Sequence, residues 1–163
     1  MKDLLDKLGS YNIFNYLLPG VLFAAFIDAA TSIKIIHKNI EVAVFIYYFL
    51  GLVISRVGSL IIEPIAKKTK LVAFSNYTDF LNALKEDPKV ELFSEINNMY
   101  RTLCSLFLCS LMVITYDKLS VKYKIPYDYS TYVCMFLFFV LFLMSYRKQS
   151  TYITKRISAR SPK

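Results

Sequence analysis

The sequence predicts an all-α integral membrane protein with four transmembrane helices and a cytosolic helical segment between the second and the third. Hydrophobic residues make up 56% of its 163 positions, Gly and Pro number only 4 and 5, and the mean hydropathy is +0.43. Ordinary globular domains are less apolar than this. A bilayer core about 30 Å thick needs roughly 17 to 25 helical residues. Apolar runs of that size place the spans at 13–33, 42–62, 100–119 and 129–146.

The fourth run, YVCMFLFFVLFLMSY, carries most of this assignment because it is apolar around its whole circumference and leaves no face for water. Two alternatives remain open: a soluble bundle with an apolar core, and a secretory signal in the first run that is removed near Ala30. Acidic residues before the first run and Asp28 beside the cleavage position count against the signal. We expect one membrane domain over 1–163.

The basic residues predict the orientation of the chain in the membrane. Of the 20 Lys and Arg residues, 14 fall in the N-terminus, the segment between spans two and three, and the tail. The two short loops hold 5, and Arg56 lies inside the second span. Because positive residues stay on the cytoplasmic side, we expect both termini in the cytoplasm, with the bacterial inner membrane as the location.

The polar segment 66–99 predicts two cytosolic helices. In its first half, apolar residues from Leu71 to Leu84 recur at spacings of three and four, which is typical of one apolar helix face. Asp87 and Pro88 are then typical of a helix start, as N-cap and first-turn residues. We expect this second helix to continue unbroken into the third span, so that it joins the cytosolic segment to the membrane.

Two charged residues, Arg56 and Glu63, lie seven positions apart in the second span and therefore project from nearly the same helix face. That face also holds small residues, which let helices approach closely. In the third span Asn98 and Arg101 share a polar stripe. We predict an ion pair between Glu63 and Arg101. Arg56 is expected to be satisfied by Glu63 or by polar atoms of the third span, since intramembrane charges usually face protein or a wet cavity.

Asp28 lies nearer the outer end of the first span, where we expect it to reach water. Near the other end of this span, Pro19 and Gly20 predict a loosened or kinked backbone, because Pro removes a helical hydrogen bond. The alternative is an amphipathic segment, Met1 to Leu8, which turns into the membrane at Gly9 and Ser10.

The tail 147–163 is basic, and we expect it to bind anionic lipid headgroups or a protein partner. Each basic residue near such a surface contributes on the order of 1 kcal/mol. A pI near 9.3 also fits nucleic-acid binding, but the topology already accounts for most of the +8 charge, so we regard nucleic acid as an unlikely partner. The residues concerned are Arg147, Lys148, Lys155, Arg156 and Arg160.

The sequence offers no recognisable catalytic or metal site, and we expect no cofactor. His37 is the one histidine, and the three cysteines fall inside apolar runs without metal-ligand spacing. Gly-rich phosphate loops and nucleophile elbows are absent from the sequence. We therefore predict a non-enzymatic protein.

The layout resembles the small four-helix membrane proteins found beside bacterial anti-phage systems, such as the membrane subunit of Kiwa and the accessory membrane proteins of some CRISPR types. The resemblance rests on the size, the four spans, the middle segment and the stretches NYLLPG, ISRVGSLIIEP and NNMYRT. It implies a membrane sensor or effector that works with a cytosolic partner, as a homo-oligomer. It assigns no role to individual residues.

Three functions remain open at this stage. The first is a non-enzymatic inner-membrane sensor, anchor or oligomeric effector that acts with a cytosolic partner. The second is a channel or transporter subunit whose polar stripes line an intramembrane path. The third, a membrane-embedded enzyme, has no reactive group of residues in its favour.

Overall fold

Five helices account for most of the chain in a computed structural model, which describes residues 9–159. They are α1 (Ile13–Ala30), α2 (Ile40–Lys68), α3 (Tyr77–Glu86), α4 (Lys89–Tyr123) and α5 (Tyr127–Ser158), with one helical turn, Ser10–Asn12, before α1. Four of them, α1, α2, α4 and α5, are long and apolar enough to cross a membrane. The described part of the chain is thus all-helical, as predicted.

Helix α1 begins with a π-helical turn, Ile13–Leu17, directly before the Pro19 and Gly20 at which a loosened or kinked backbone is predicted. The Leu18 N–H donates to the Ile13 carbonyl five residues back. Pro19 follows at once, and a proline ring clashes with the carbonyl four residues before it. Widening the turn by one residue is one way a helix accommodates such a ring. The helix ends at Ala30, three residues earlier than predicted, and the alternative placed on Met1 to Leu8 lies outside the described residues.

Helices α1 and α2 touch through their backbones at two glycines. A Cβ on Gly20 would overlap the Tyr47 carbonyl, and a Cβ on Gly51 would overlap the Tyr16 carbonyl. Each helix therefore places a glycine against the other's main chain, and no larger residue fits without separating them. Next to this crossing lies the apolar core, made of Phe23, Ile27, Ile54 and Leu106 from three helices.

Helix α2 is longer than the predicted span and passes through Pro64 without breaking. It contains a second π-helical turn, Gly58–Ile62, in which the Glu63 N–H donates to the Gly58 carbonyl. The proline again follows one residue later, as at Pro19. The small residues of this helix are buried, whereas Val53, Val57, Leu60 and Ile61 on the other side are half-buried to exposed. The buried members are Gly51, Ser55, Gly58 and Ser59.

The chain leaves α2 through a tight left-handed turn at Lys70, whose φ is 60°. Leu71 N–H donates to the Ala66 carbonyl and Lys70 N–H to the Lys67 carbonyl, the bonds of a Schellman motif. Helix α3 starts only at Tyr77, so the predicted apolar helix face is wrong for Leu71 and Phe74, which lie in the loop. A Schellman turn closes a helix and directs the next residues away from its axis, which overrides the apolar spacing.

Helix α4 runs unbroken over 35 residues, which confirms the predicted continuation from the polar segment into the third span. Its start is capped as predicted, since the Asp87 carboxylate accepts the Lys89 N–H at 2.9 Å. Its end is a second Schellman motif, with Ile125 N–H bonded to the Ser120 carbonyl and Lys124 in the left-handed region.

Helix α5 lies at the periphery. None of its residues from Tyr127 to Ser158 is fully buried. Phe49 of α2 contacts Phe138 and Phe142, with ring centroids 5.9 and 6.1 Å apart. The fourth helix extends beyond the predicted span of 129–146 and includes the basic tail as far as Ser158. Side chains there are polar, but they keep helix-forming character and no Gly or Pro interrupts them.

Candidate functional site

One acidic side chain gathers three basic ones where α2, α4 and α5 meet. Glu63 is 8% exposed, and its Oε2 accepts a hydrogen bond from Arg101 Nη1 at 2.6 Å. Lys148 Nζ lies 3.4 Å from the same oxygen, and Lys67 Nζ lies 2.9 Å from Oε1. We call these four residues the Glu63 cluster. The predicted ion pair between Glu63 and Arg101 is present.

Lys148 reaches the cluster because the second π-helical turn frees a backbone acceptor. In a regular α-helix the Ser59 carbonyl would accept the Glu63 N–H, but that N–H goes to Gly58 instead. The next residue, Pro64, has no N–H to offer. Lys148 Nζ takes the vacated position, 2.6 Å from the Ser59 carbonyl oxygen and 2.7 Å from the Ser59 hydroxyl.

Every proton of the Lys148 ammonium therefore has an acceptor: two oxygens of Ser59 and one of Glu63. An ammonium has three donors, so this side chain is fully satisfied. The sequence prediction placed Lys148 among the headgroup-binding residues of the tail, and the structure instead packs it against α2. Its contacts join the peripheral helix to the rest of the bundle at this end.

The cluster carries a formal charge of +2, since one carboxylate faces three cations. Unit charges about 4 Å apart interact by about 4 kcal/mol at an effective dielectric constant near 20. Glu63 attracts each of its partners at 2.6 to 3.4 Å, and the cluster as a whole keeps a net positive charge. Arg101 Nε is buried and has no hydrogen-bond partner within the described residues, so the guanidinium is held mainly through Glu63. Arrangements of this kind position helices; they do not by themselves supply acid–base chemistry.

Small and hydroxyl residues beside the cluster hold α2 and α4 together. A Cβ on Gly58 would meet the Ser105 hydroxyl and would lie 3.2 Å from the Arg101 carbonyl. The Thr102 hydroxyl donates to the Asn98 carbonyl at 2.8 Å, which gives Asn98 a backbone role beside the cluster. Thr102 and Ser105 are completely buried. The close approach at Gly58 is what brings Arg101 within reach of Glu63.

Arg56 does not join the Glu63 cluster. Its Nη2 lies 3.4 Å from the Tyr16 hydroxyl of α1, a long hydrogen bond, and the side chain is half-buried. The expectation that Glu63 or polar atoms of the third span would satisfy Arg56 is wrong, because Glu63 faces three other cations. Tyr16 also packs edge-on against Tyr48, with centroids 5.5 Å apart. Sequence alone gave no sign of Tyr16, since its part depends on the register of α1 against α2.

Two carboxylates order the loop 31–39 at the opposite end of the bundle. Asp28 Oδ1 accepts the N–H groups of Ile35 and Ile36 at 2.6 and 3.2 Å. Asp117 of α4 accepts the Ser32 hydroxyl at 2.7 Å. Asp28 therefore caps this loop from near the C-terminal end of α1, and its expected place at the outer face stays a prediction. The sequence reasoning missed Asp117.

The remaining tail residues contribute exposed charge. Arg147, Lys155 and Arg156 are exposed on α5, and Arg160 lies outside the described residues. Lys155 lines an open cavity of about 540 Å³ between α5 and the start of α3, together with Tyr77 and Thr151. Within 9–159, no three His, Cys, Asp or Glu side chains are grouped as metal ligands would be.

Comparisons with known proteins give no functional information. Neither protein-family models, nor curated protein sequences, nor solved structures match this chain.

Proposed function

We propose that this chain is a non-enzymatic protein of the bacterial inner membrane, where it works as a sensor, an anchor or an oligomeric membrane effector. Its counterpart is a cytosolic protein, and the setting is anti-phage defence, as the sequence resemblance implies. Four helices of spanning length and apolar composition support the membrane placement.

The observation that carries this proposal is the continuity of α4. Lys89–Tyr123 is one rigid rod that begins in the polar segment and passes the Glu63 cluster at Arg101. A displacement of its polar end is therefore transmitted to α2 through the Gly58 contact and the Glu63–Arg101 pair, and to α5 through Glu63 and Lys148. A partner that binds 77–99 has a direct mechanical route to the membrane helices.

The orientation is tested first. The charge distribution of 14 against 5 basic residues supports cytoplasmic termini. Reporters fused after Lys85 and after Lys163 should both be cytoplasmic, and a reporter fused near Lys122 should lie outside. An external signal at Lys85 would contradict the four-span arrangement.

The coupling is tested by interrupting α4. Two glycines inserted after Glu95 break the rod between the polar segment and Arg101, and the same insertion in the loop after Ser75 serves as a control. We expect the first variant to lose phage protection when it is expressed with the protein encoded beside it, while it stays in the membrane fraction. The loop variant should protect like wild type. Protection by both variants would refute mechanical coupling, and no protection by wild type would refute the defence setting.

A channel or transporter subunit is the second candidate, favoured by Arg56. This guanidinium lies within an apolar helix, and among the described residues it makes one long hydrogen bond, to the Tyr16 hydroxyl. As a pore residue it would set an electrostatic barrier to cations. Four helices cannot both bury this seam and enclose a wide pore, so conduction would need several copies around one axis. If wild type and Arg56→Gln are both ion-tight in liposomes with the partner present, this candidate is excluded.

A further inference from the structure

The loop after α2 forms an open cavity that two lysines line. It measures about 590 Å³ and is bounded by Lys67, Lys70, Val72, Ala73 and Phe74. The Lys67 ammonium sits 4.2 Å from the centre of the Phe74 ring. The cavity thus combines positive charge with an apolar wall.

The acid that contacts Lys67 does not neutralise the positive charge at this cavity. Glu63 is the acid that contacts Lys67, and it also accepts Arg101 and Lys148. One negative charge is shared among three cations before Lys70 is counted. An anion in the cavity would face Lys67 and Lys70 at once, and ionised donors bind phosphate oxygens strongly.

The backbone turn at Lys70 places this side chain in the lining of the cavity. The Lys70 φ of 60° is at the position of a Schellman motif where glycine is the usual residue. A residue with a Cβ is less stable there, and Lys124 at the end of α4 adopts the same conformation. At this position the side chain is a lysine, and its ammonium group lines the cavity.

Exposed apolar side chains are close to the two lysines in the sequence. Ile65 is 56% exposed, Phe74 51% and Leu71 80%. They lie beside the polar end of a helix long enough to span a bilayer, and the proposed membrane placement puts them where acyl chains meet headgroups. A soluble phosphorylated compound has no apolar part to contact these side chains, whereas a phospholipid has acyl chains that do.

We propose that this cavity binds a phosphate ester, with the headgroup of an anionic phospholipid as its source. Lys67 and Lys70 hold the phosphate oxygens, and Leu71 and Phe74 lie along the first part of the acyl chains. This inference rests on the proposed membrane placement. It adds a defined lipid site to a region that the sequence analysis treated only as a cytosolic helix.

The test uses the full chain purified in detergent and titrated with phosphatidylglycerol or phosphatidylcholine, with bound lipid counted by native mass spectrometry. We expect phosphatidylglycerol to bind at least about fivefold tighter, and Lys70→Gly to lose about fivefold of that affinity, the contribution of one basic residue near an anionic surface. Lys124→Gly is the matched control, because Lys124 occupies the same strained position at the far end of α4. It should bind phosphatidylglycerol like wild type.

Lys70→Gly also removes backbone strain, so its thermal stability should equal or exceed that of wild type, and lost binding cannot be ascribed to unfolding. Equal affinity for the two lipids, or equal losses in both glycine variants, would overturn the site. Competition by soluble glycerol 1-phosphate at equal strength would keep the phosphate site but overturn the lipid source. Recovery of the chain in the soluble fraction of cells would instead refute the membrane placement, whatever the lipid titration gives.

Discussion

Helices α1, α2 and α4 meet through glycines, hydroxyl residues and backbone atoms, whereas α5 meets them through the ends of long side chains. At Gly20, Gly51 and Gly58 there is no room for a Cβ. Along α5 the contacts are aromatic rings at its middle and the Lys148 ammonium at its polar end. Close backbone packing fixes a crossing within narrow limits, and side-chain tips do not. The three-helix unit is therefore a rigid scaffold, and α5 is the helix that can shift without opening the core.

The largest effect should come from adding a methyl group where α1 and α2 cross. Gly20→Ala forces α1 away from the Tyr47 carbonyl, and we expect a loss of about 3 kcal/mol, the upper part of the usual range for overpacking. Thermal unfolding in detergent measures it, with folded yield on a sizing column as a second readout. Gly9→Ala is the control, because a Cβ there meets nothing within 4 Å. Equal behaviour of the two variants would mean that the crossing is not tight.

Substituting two leucines, one in the three-helix unit and one in α5, compares how much each region contributes to stability. Leu106 is fully buried between the three helices, whereas Leu137 of α5 is 59% exposed. We expect Leu106→Ala to cost about 2 to 3 kcal/mol and Leu137→Ala less than about 0.5 kcal/mol. Both are read from the same thermal unfolding series. A large loss at Leu137 would show that another protein surface covers α5.

The ion pair between α2 and α4 should show coupling. Breaking a buried pair commonly costs about 3 to 5 kcal/mol, but Arg101 is 19% exposed, so we expect about 2 kcal/mol for Glu63→Gln or Arg101→Gln. The double variant should lose less than the sum of the two, by about 1 kcal/mol. Strict additivity in this cycle would be incompatible with the pair.

The smallest effect should come from detaching the polar end of α5. Lys148→Met leaves the Ser59 carbonyl without its donor, and we expect a loss of about 1 kcal/mol. Arg147→Met, one position earlier on the exposed side of the same helix, should change stability by less than about 0.5 kcal/mol. If the two substitutions are equivalent, Lys148 does not fasten α5.

The sequence was sufficient for the four long helices, the continuity of α4 and the pair of Glu63 with Arg101. Those features follow from apolar length and from small residues on one helix face, which are local patterns. The role of Lys148 depends on the Ser59 carbonyl, which Pro64 leaves without a helical N–H donor. Composition and apolar spacing do not show which carbonyl is left without a donor. A partial signal did exist: Phe138 and Phe142 lie four positions apart, on the side of α5 that meets Phe49 of α2. Lys148 follows six residues after Phe142 and does not continue that spacing.

The partner of Arg56 could not be predicted for a different reason. Tyr16 comes near it only because Gly20 and Gly51 set the register of α1 against α2. The register between two helices depends on which backbone atoms come into contact. A single sequence shows where the glycines are, but it does not show which carbonyl each glycine contacts. The helix predicted over Leu71 and Phe74 was wrong for a similar reason. The apolar spacing continues past the turn at Lys70, although the helix does not.

The reciprocal glycines also bear on the order in which the protein is made. Both lie in α1 and α2, so their contact needs nothing that follows Lys68. Translation at about 5 to 20 residues per second leaves several seconds before α4 and α5 are complete. A hairpin of the first two helices can assemble within that interval and serve as the template on which Arg101 and later Lys148 find Glu63. Substitutions at Gly20 therefore act during synthesis, before the ion pairs that hold the finished bundle exist.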